Sequence, residues 1–192
     1  MPGGFLGEVD WDRRYREGFY NGVLEPHDLI KRFYHEIPKG VVIDIAMGTG
    51  RDAAFLSAKG YNVIGIEKSR EAIKVFQREF GGHHGGVSCI IGDADFLPFR
   101  DNIAQGVVVF YFLIRGIMGD IKAMLKKGGI LIYETFLKRQ NTIDRWRNPE
   151  YLLNDGELYS YFSDLELLFY EEVISRAGKK DKAIARFVGR KI

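Results

Sequence analysis

The chain has 192 residues, 46% of them hydrophobic and 28% charged, with a formal net charge of +2. That length fits one domain with a buried core, and the near-balanced charge argues against a dedicated nucleic-acid or membrane-surface binder, which would concentrate Lys and Arg. A single cysteine, Cys89 in the apolar run VSCII, excludes a disulfide within the chain, favours a reducing compartment and reads as a core filler.

The start of the chain, MPGGFLGEVDWDRRY, has no basic region followed by an apolar one, so no secretory signal is read there. Short helices are expected around WDRRYREG (11–18) and PHDLIKRFYHEI (26–37). From position 41 onward, apolar runs of strand length alternate with amphipathic segments of helix length. VVIDIA (41–46) reads as a buried strand and RDAAFLSAKG (51–60) as a helix closed by Gly60. YNVIGIE (61–67) is the next strand. SREAIKVFQREF (69–80) is the next helix, with Ser69 as N-cap and Ala72, Ile73, Val75, Phe76 and Phe80 on its apolar side.

VSCII (87–91) and QGVVVFYFL (105–113) supply a third and a fourth strand. DIKAMLKKGG (120–129) reads as a helix with lysines in its last turn, and ILIYETF (130–136) as a fifth strand. The apolar stretch GVVVFYFLI (106–114) is half the length a membrane-spanning helix needs, so a soluble, cytoplasmic protein without membrane contact is expected. Near-continuous Val, Ile and Phe runs belong to strands covered on both faces, and βα repeats of this kind build a doubly wound parallel sheet.

The last third breaks the pattern. LNDGELYSYFSD (153–164) starts like a capping box, Asn154 with Glu157 three residues later. LELLFYEEVI (165–174) and KAIARFVGRKI (182–192), joined by SRAGKKD, read as a β-hairpin, with Lys179 and Lys180 as solvated loop charges. The fold class is therefore α/β: a Rossmann-like sheet of about seven strands, mostly parallel with a C-terminal antiparallel hairpin, and helices on both faces. The whole chain, 1–192, is one domain, with 1–38 a helical cap and 39–192 the core. The polar segment FLKRQNTIDRWRN after the fifth strand is expected over the ligand end of the sheet, as part of a substrate lid.

In a doubly wound sheet, ligands bind at the carboxyl ends of the strands. Here those ends carry Asp44 with the loop to Gly50, then Glu67, Asp93 in GDADFLPF, and Tyr111 and Arg115 in FYFLIR. Gly48, Gly50 and Ala53 satisfy a dinucleotide fingerprint, but Asp44 four residues earlier is a poor neighbour for a pyrophosphate. Three converging carboxylates suit a ligand that carries positive charge and many hydroxyl and amino donors. S-adenosylmethionine is such a ligand. Gly48 and Gly50 let the backbone approach it, and Glu67 can accept from both ribose hydroxyls. Asp93 can accept from the adenine amino group while the Ala94 N–H donates to a ring nitrogen, with Phe96 and Leu97 flanking the purine.

VIDIAMGTGRDAAFLSAKGYNVIGIEKS, GDADFLPF and LKKGGILIYETF resemble the motifs of class I S-adenosylmethionine-dependent methyltransferases, and the resemblance runs from position 41 to 192. WDRRYREG and Arg115 resemble more particularly the small tellurite-resistance-type branch. The resemblance implies Trp11 and Tyr15 over the cofactor and Arg13 or Arg14 near its carboxylate. Two positions depart from the pattern. Ala46 replaces the usual first glycine, and Lys68 stands where an apolar residue covers the adenine, a task its aliphatic stem can serve.

The expected cofactor-binding set is Asp44, Ala46, Gly48, Gly50, Glu67, Lys68, Asp93, Ala94, Tyr111, Trp11 and Tyr15. No catalytic residue is assigned; Tyr111, Arg115 and Glu134 are the candidates. No metal site is read, because His83 and His84 in GGHHGG lack a third ligand at recognisable spacing. FYFL stands where DNA and protein amide N-methyltransferases often carry an Asn-Pro-Pro-Tyr motif. With the modest charge, this points to a small-molecule methyl acceptor and S-adenosylhomocysteine as the second product. Two rivals stand beside this reading. One is an NAD(P)-dependent oxidoreductase using the Gly48, Gly50 and Ala53 loop, and the other is a non-catalytic cofactor-binding module.

Overall fold

The structure is a computed structural model that describes residues 9–20, 22, 24–81, 85–144, 146–176 and 181–192. Seven strands form one sheet: β1 (Val41–Ile45), β2 (Asn62–Glu67), β3 (Val87–Ile91), β4 (Ala104–Phe110), β5 (Leu125–Phe136), β6 (Glu166–Ser175) and β7 (Lys182–Arg190). Their spatial order is β3-β2-β1-β4-β5-β7-β6. The first five pair in parallel, whereas β7 lies antiparallel between β5 and β6. The hairpin thus does more than extend one edge, since its second strand inserts against β5. The order reverses between β1 and β4, so the crevice above their carboxyl ends is where the fold accepts a ligand.

The helices are α1 (Trp11–Arg16), α2 (Asp28–Phe33), α3 (Arg51–Ala58), α4 (Arg70–Phe80), α5 (Met118–Met124) and α6 (Glu157–Tyr161). Ser69 caps α4, its hydroxyl accepting from the Ala72 N–H at 3.1 Å, and Ala72, Ile73, Val75 and Phe76 are buried. The α6 start uses half of the expected capping box. Glu157 reaches back to accept from the Asn154 N–H at 2.8 Å.

The segment 120–129 departs from the sequence reading. The helix stops at Met124, and Leu125 takes extended dihedrals and begins β5. The competing pairing lies at the far end of the chain. The Gly128 N–H donates to the Lys191 carbonyl at 2.7 Å and Lys191 N–H to the Gly129 carbonyl at 2.9 Å. Lys191 also supplies the positive charge at the end of α5, its Nζ donating to the Lys122 carbonyl at 3.0 Å and the Leu125 carbonyl at 2.6 Å. Lys126 and Lys127 are exposed. Likewise the fourth strand ends at Phe110, short of the expected 113, because Tyr111 turns into the left-handed region at φ 54.

Two apolar layers flank the sheet. One holds Ile43, Val107, Leu131, Tyr133, Phe162 and Phe187, and the other Val42, Leu56, Ile73, Phe76, Val108 and Ile132. Phe162 is fully buried, with ring centroids 5.5 Å from Phe187 and 6.1 Å from Tyr133, and so fastens α6 onto both β5 and β7. Cys89 is half-buried against the second layer, and burial pushes its thiol up. No helix among the described residues is long and apolar enough to cross a membrane. Phe162→Ala is expected to cost roughly 3–5 kcal/mol, the range for truncating a fully buried phenylalanine. Urea unfolding followed by circular dichroism will read this as a lower midpoint at unchanged slope.

Candidate functional site

The site is built from the ends of β1, β2, β4 and β5. Asp44, the fourth residue of β1, is buried, and its Oδ2 has no hydrogen-bond partner among the described residues. Burial pushes its carboxyl well above the usual carboxylate range. Asp52 and Glu67 push it further, while the Arg51 guanidinium opposes them. Two residues later the chain turns sharply. Ala46 adopts φ 56, followed by Gly48 at φ 54 and Gly50 at φ 72. At position 46 a Cβ is thus held in a backbone region that disfavours it and that glycine adopts freely.

The two glycines serve different ends. A Cβ on Gly50 would lie 2.4 Å from the Phe76 ring and 2.6 Å from Met47 Cε, so that glycine lets α3 pack against α4. Above Gly48 the nearest atom is the Tyr15 hydroxyl, 2.9 Å from the position a Cβ would take. Glu67 closes the loop from the side. Its Oε2 accepts from the Gly48 N–H at 2.9 Å and its Oε1 from the Ser69 N–H at 2.8 Å. Burial raises its carboxyl, and these N–H groups hold it partly down.

Asp93 and Lys68 face each other at 2.9 Å, with Nζ on Oδ2, and this contact holds the Asp93 carboxyl low. Ala94 is buried, whereas Phe96 is 84% exposed. Tyr111 closes the far side. Its N–H donates to the Glu134 carbonyl at 2.8 Å, and burial followed by the Glu134 carboxylate raises its hydroxyl. Glu134 is buried and accepts from Arg186 Nε at 2.6 Å. Arg115 faces the segment 150–157. It donates to Glu157 at 2.6 Å and to the Glu150 and Leu152 carbonyls at 2.6 and 2.9 Å, so it fastens the segment 150–157.

The N-terminal segment covers this floor. Asp12 accepts from the Ser69 hydroxyl at 2.6 Å and the Glu71 N–H at 3.2 Å, which pins α1 to the start of α4. Tyr15 is largely buried, its hydroxyl raised by burial and then by Glu67. Trp11 is 39% exposed with the Arg14 guanidinium 5.2 Å from its ring, and Arg13 faces Glu17 at 3.8 Å. The polar segment after β5 is anchored through buried Gln140, whose Oε1 accepts from the Ala183 N–H at 2.7 Å. His83, His84, Lys179 and Lys180 lie outside the described residues.

Sequence reasoning missed a cluster behind Tyr111. His27 donates from its backbone N–H to Asp52 Oδ1 at 2.8 Å, and its Nδ1 lies 2.6 Å from Asp52 Oδ2. Its Nε2 meets the Arg51 guanidinium. The imidazole stacks on Phe110 at 4.0 Å and lies 5.2 Å from Tyr111. Arg51 and Asp52 directly follow the glycine loop, a position that marks them for attention. His27 carries no such signal, because its partner is 25 residues away.

Residues 42–129 match the family described as methyltransferase domain. Hemagglutinin 1 of Eikenella corrodens is 27% identical over 169 residues, 80% of this chain and 53% of that protein. A demethylmenaquinone methyltransferase of Thermobifida fusca is 24% identical over 147 residues, 65% of this chain and 62% of that protein. The chain thus spans between half and two thirds of these curated relatives. Among solved structures, TehB from Haemophilus influenzae superposes with a TM-score of 0.73 at 20% identity, covering 94% of this chain and 67% of that one. A SAM-dependent methyltransferase from Aquifex aeolicus gives 0.70 at 17% identity, covering 96% and 100%.

The backbone of the loop yields one test. Ala46→Gly relieves a left-handed alanine, worth about 1–2 kcal/mol, against about 0.4–1 kcal/mol of added freedom in the unfolded chain. The variant is expected to be more stable by roughly 0.5–1 kcal/mol, read as a higher thermal midpoint with ligand binding retained.

Proposed function

We propose that this chain, which carries a methyltransferase domain and the class I methyltransferase fold resembling TehB, is an S-adenosylmethionine-dependent methyltransferase acting on a small-molecule acceptor. The observation that carries the reading is Asp44, a buried carboxyl at the end of β1 beside the glycine loop, with one oxygen that has no hydrogen-bond partner among the described residues. An ammonium or sulfonium group satisfies it, and a pyrophosphate does not. The strand order, with β7 antiparallel inside the sheet, also disfavours the oxidoreductase reading. The small-molecule acceptor is supported by relatives such as the demethylmenaquinone methyltransferase.

The residues fit this cofactor as follows. Asp44 receives the cationic amino-acid end. The Glu67 oxygens each use one lone pair on a backbone N–H and keep another for a ribose hydroxyl. Asp93, the Ala94 N–H and the Lys68 stem form the adenine slot, and Ala46, Gly48 and Gly50 the floor. Tyr15 and Trp11 cover it, and Tyr111 borders the reacting end. The bound cofactor supplies an activated methyl group on a sulfonium. The protein's task is then alignment and exclusion of water. Tyr111 and Glu134 are the groups near that end able to hold or move a proton; Arg115, committed to the segment 150–157, is not among them.

Calorimetric titration with S-adenosylhomocysteine and with NADH tests the proposal. Micromolar binding of the former, abolished in Glu67→Ala, is expected; binding of NADH alone would overturn it. Asp44 adds a pH signature. A carboxyl raised in the folded state favours folding fully below about pH 4, and this contribution is lost as pH rises through the folded value. Asp44→Asn is therefore expected to be more stable than the parent at pH 7–8, with the difference closing toward about pH 4. The same variant is expected to lose S-adenosylhomocysteine binding. Thermal midpoints across pH, with and without ligand, check both halves.

A further inference from the structure

The site has a second end of opposite character. Lys182 opens β7, and its Nζ lies 3.1 Å from the Tyr111 hydroxyl and 4.5 Å from the centre of that ring. Among the described residues it makes no ion pair with a carboxylate. Glu134, the acid whose charge acts on it, is already engaged by Arg186 at 2.6 Å. Among the described residues Arg51 also makes no ion pair with a carboxylate, its guanidinium meeting the His27 ring and, at 3.2 Å, the Glu25 carbonyl. Arg147 lies 4.4 Å from the Phe136 ring, which lies 4.7 Å from Tyr111. Burial, with Arg51, Arg147 and Arg186 adding to it, pushes the Lys182 ammonium down from its ordinary value, against the pull of Glu134.

A half-buried ammonium whose contact partner is a neutral hydroxyl, beside arginines that are themselves paired with Glu134, Glu171 and Asp144, has no carboxylate of its own in contact among the described residues. The Tyr111 and Phe136 rings, packed on each other at 4.7 Å, make the surroundings of this ammonium aromatic, which suits an acid with a flat apolar body. We infer that Lys182 is a specificity-determining residue that binds the carboxylate of a small, planar organic acid, with Tyr111 and Phe136 contacting its body. The inference rests on the proposed function, because it names the class of acceptor for the same site. The cofactor end selects a cation through Asp44 and Glu67, and the acceptor end selects an anion through Lys182. The two ligands are thereby kept from exchanging places.

The test uses benzoate as probe and benzamide as its neutral isostere, titrated calorimetrically into the full chain saturated with S-adenosylhomocysteine. Benzoate is expected to bind and benzamide to bind at least about tenfold more weakly, the scale of one lost charge-assisted hydrogen bond. Lys182→Met is expected to weaken benzoate about tenfold while leaving the S-adenosylhomocysteine affinity unchanged, and Lys182→Arg to retain most of the binding. Equal binding of benzoate and benzamide, or parental benzoate affinity in Lys182→Met, overturns the inference. Inorganic phosphate binding as tightly as benzoate overturns the organic-acid part. If S-adenosylhomocysteine itself fails to bind, the cofactor reading falls, and the benzoate titration of the unloaded protein still decides the role of Lys182.

Discussion

The interaction on which this structure turns is the crowding of three carboxylates, Asp44, Asp52 and Glu67, around one loop, and the different way each is handled. Glu67 is satisfied by two backbone N–H groups, and Asp52 by the backbone and ring of His27. Of the three, Asp44 keeps a buried oxygen without a partner among the described residues. Burying a charge in this way is costly, and the raised Asp44 carboxyl is the form the cost takes. A fold selected for stability alone has no reason to retain it. A site that must attract a cation does, because binding then removes an existing penalty.

The covering segment is fixed at points that all bear on this loop. Asp12 holds α1 to the start of α4, whose cap Ser69 also donates its N–H to Glu67. Tyr15 rests above Gly48, the residue whose N–H donates to Glu67. His27 ties the approach to α2 onto Asp52 in the first turn of α3. The cap therefore reports on the loop through shared hydrogen bonds. A change at Glu67 reaches the Gly48 amide, the Ser69 amide and, through Ser69, Asp12.

Much of this was legible in the sequence, for identifiable reasons. Strands covered on both faces leave near-continuous apolar runs, so β1, β2 and β4 were readable, and the carboxyl-end rule then located Asp44, Glu67 and Asp93. Ser69 and Glu157 announced helix starts through local chemistry. What was not legible depends on residues far apart in the chain. The α5 boundary is decided by Lys191, more than sixty positions beyond it, pairing with Gly128 and Gly129. The His27–Asp52 and Lys182–Tyr111 contacts span 25 and 71 residues, and a lone His or Lys in a polar stretch carries no mark of its partner. Arg115 was placed at the site because it follows β4, but its carbonyl and carboxylate partners lie at 150–157.

The inserted strand β7 links these observations. By lying antiparallel between β5 and β6, it brings Lys182 and Arg186 to the end of the sheet where Tyr111 and Glu134 emerge. A further parallel strand would point its carboxyl end at the site, whereas β7 delivers its amino end. The crevice is consequently acidic where β1 and β2 end and basic where β7 begins. Tyr111 sits at the seam, held in a left-handed turn that directs its hydroxyl to Lys182 and its ring toward His27. The strain of that turn is maintained by the Glu134 carbonyl, so the residue at the boundary between the two ends is positioned by the strand that β7 covers.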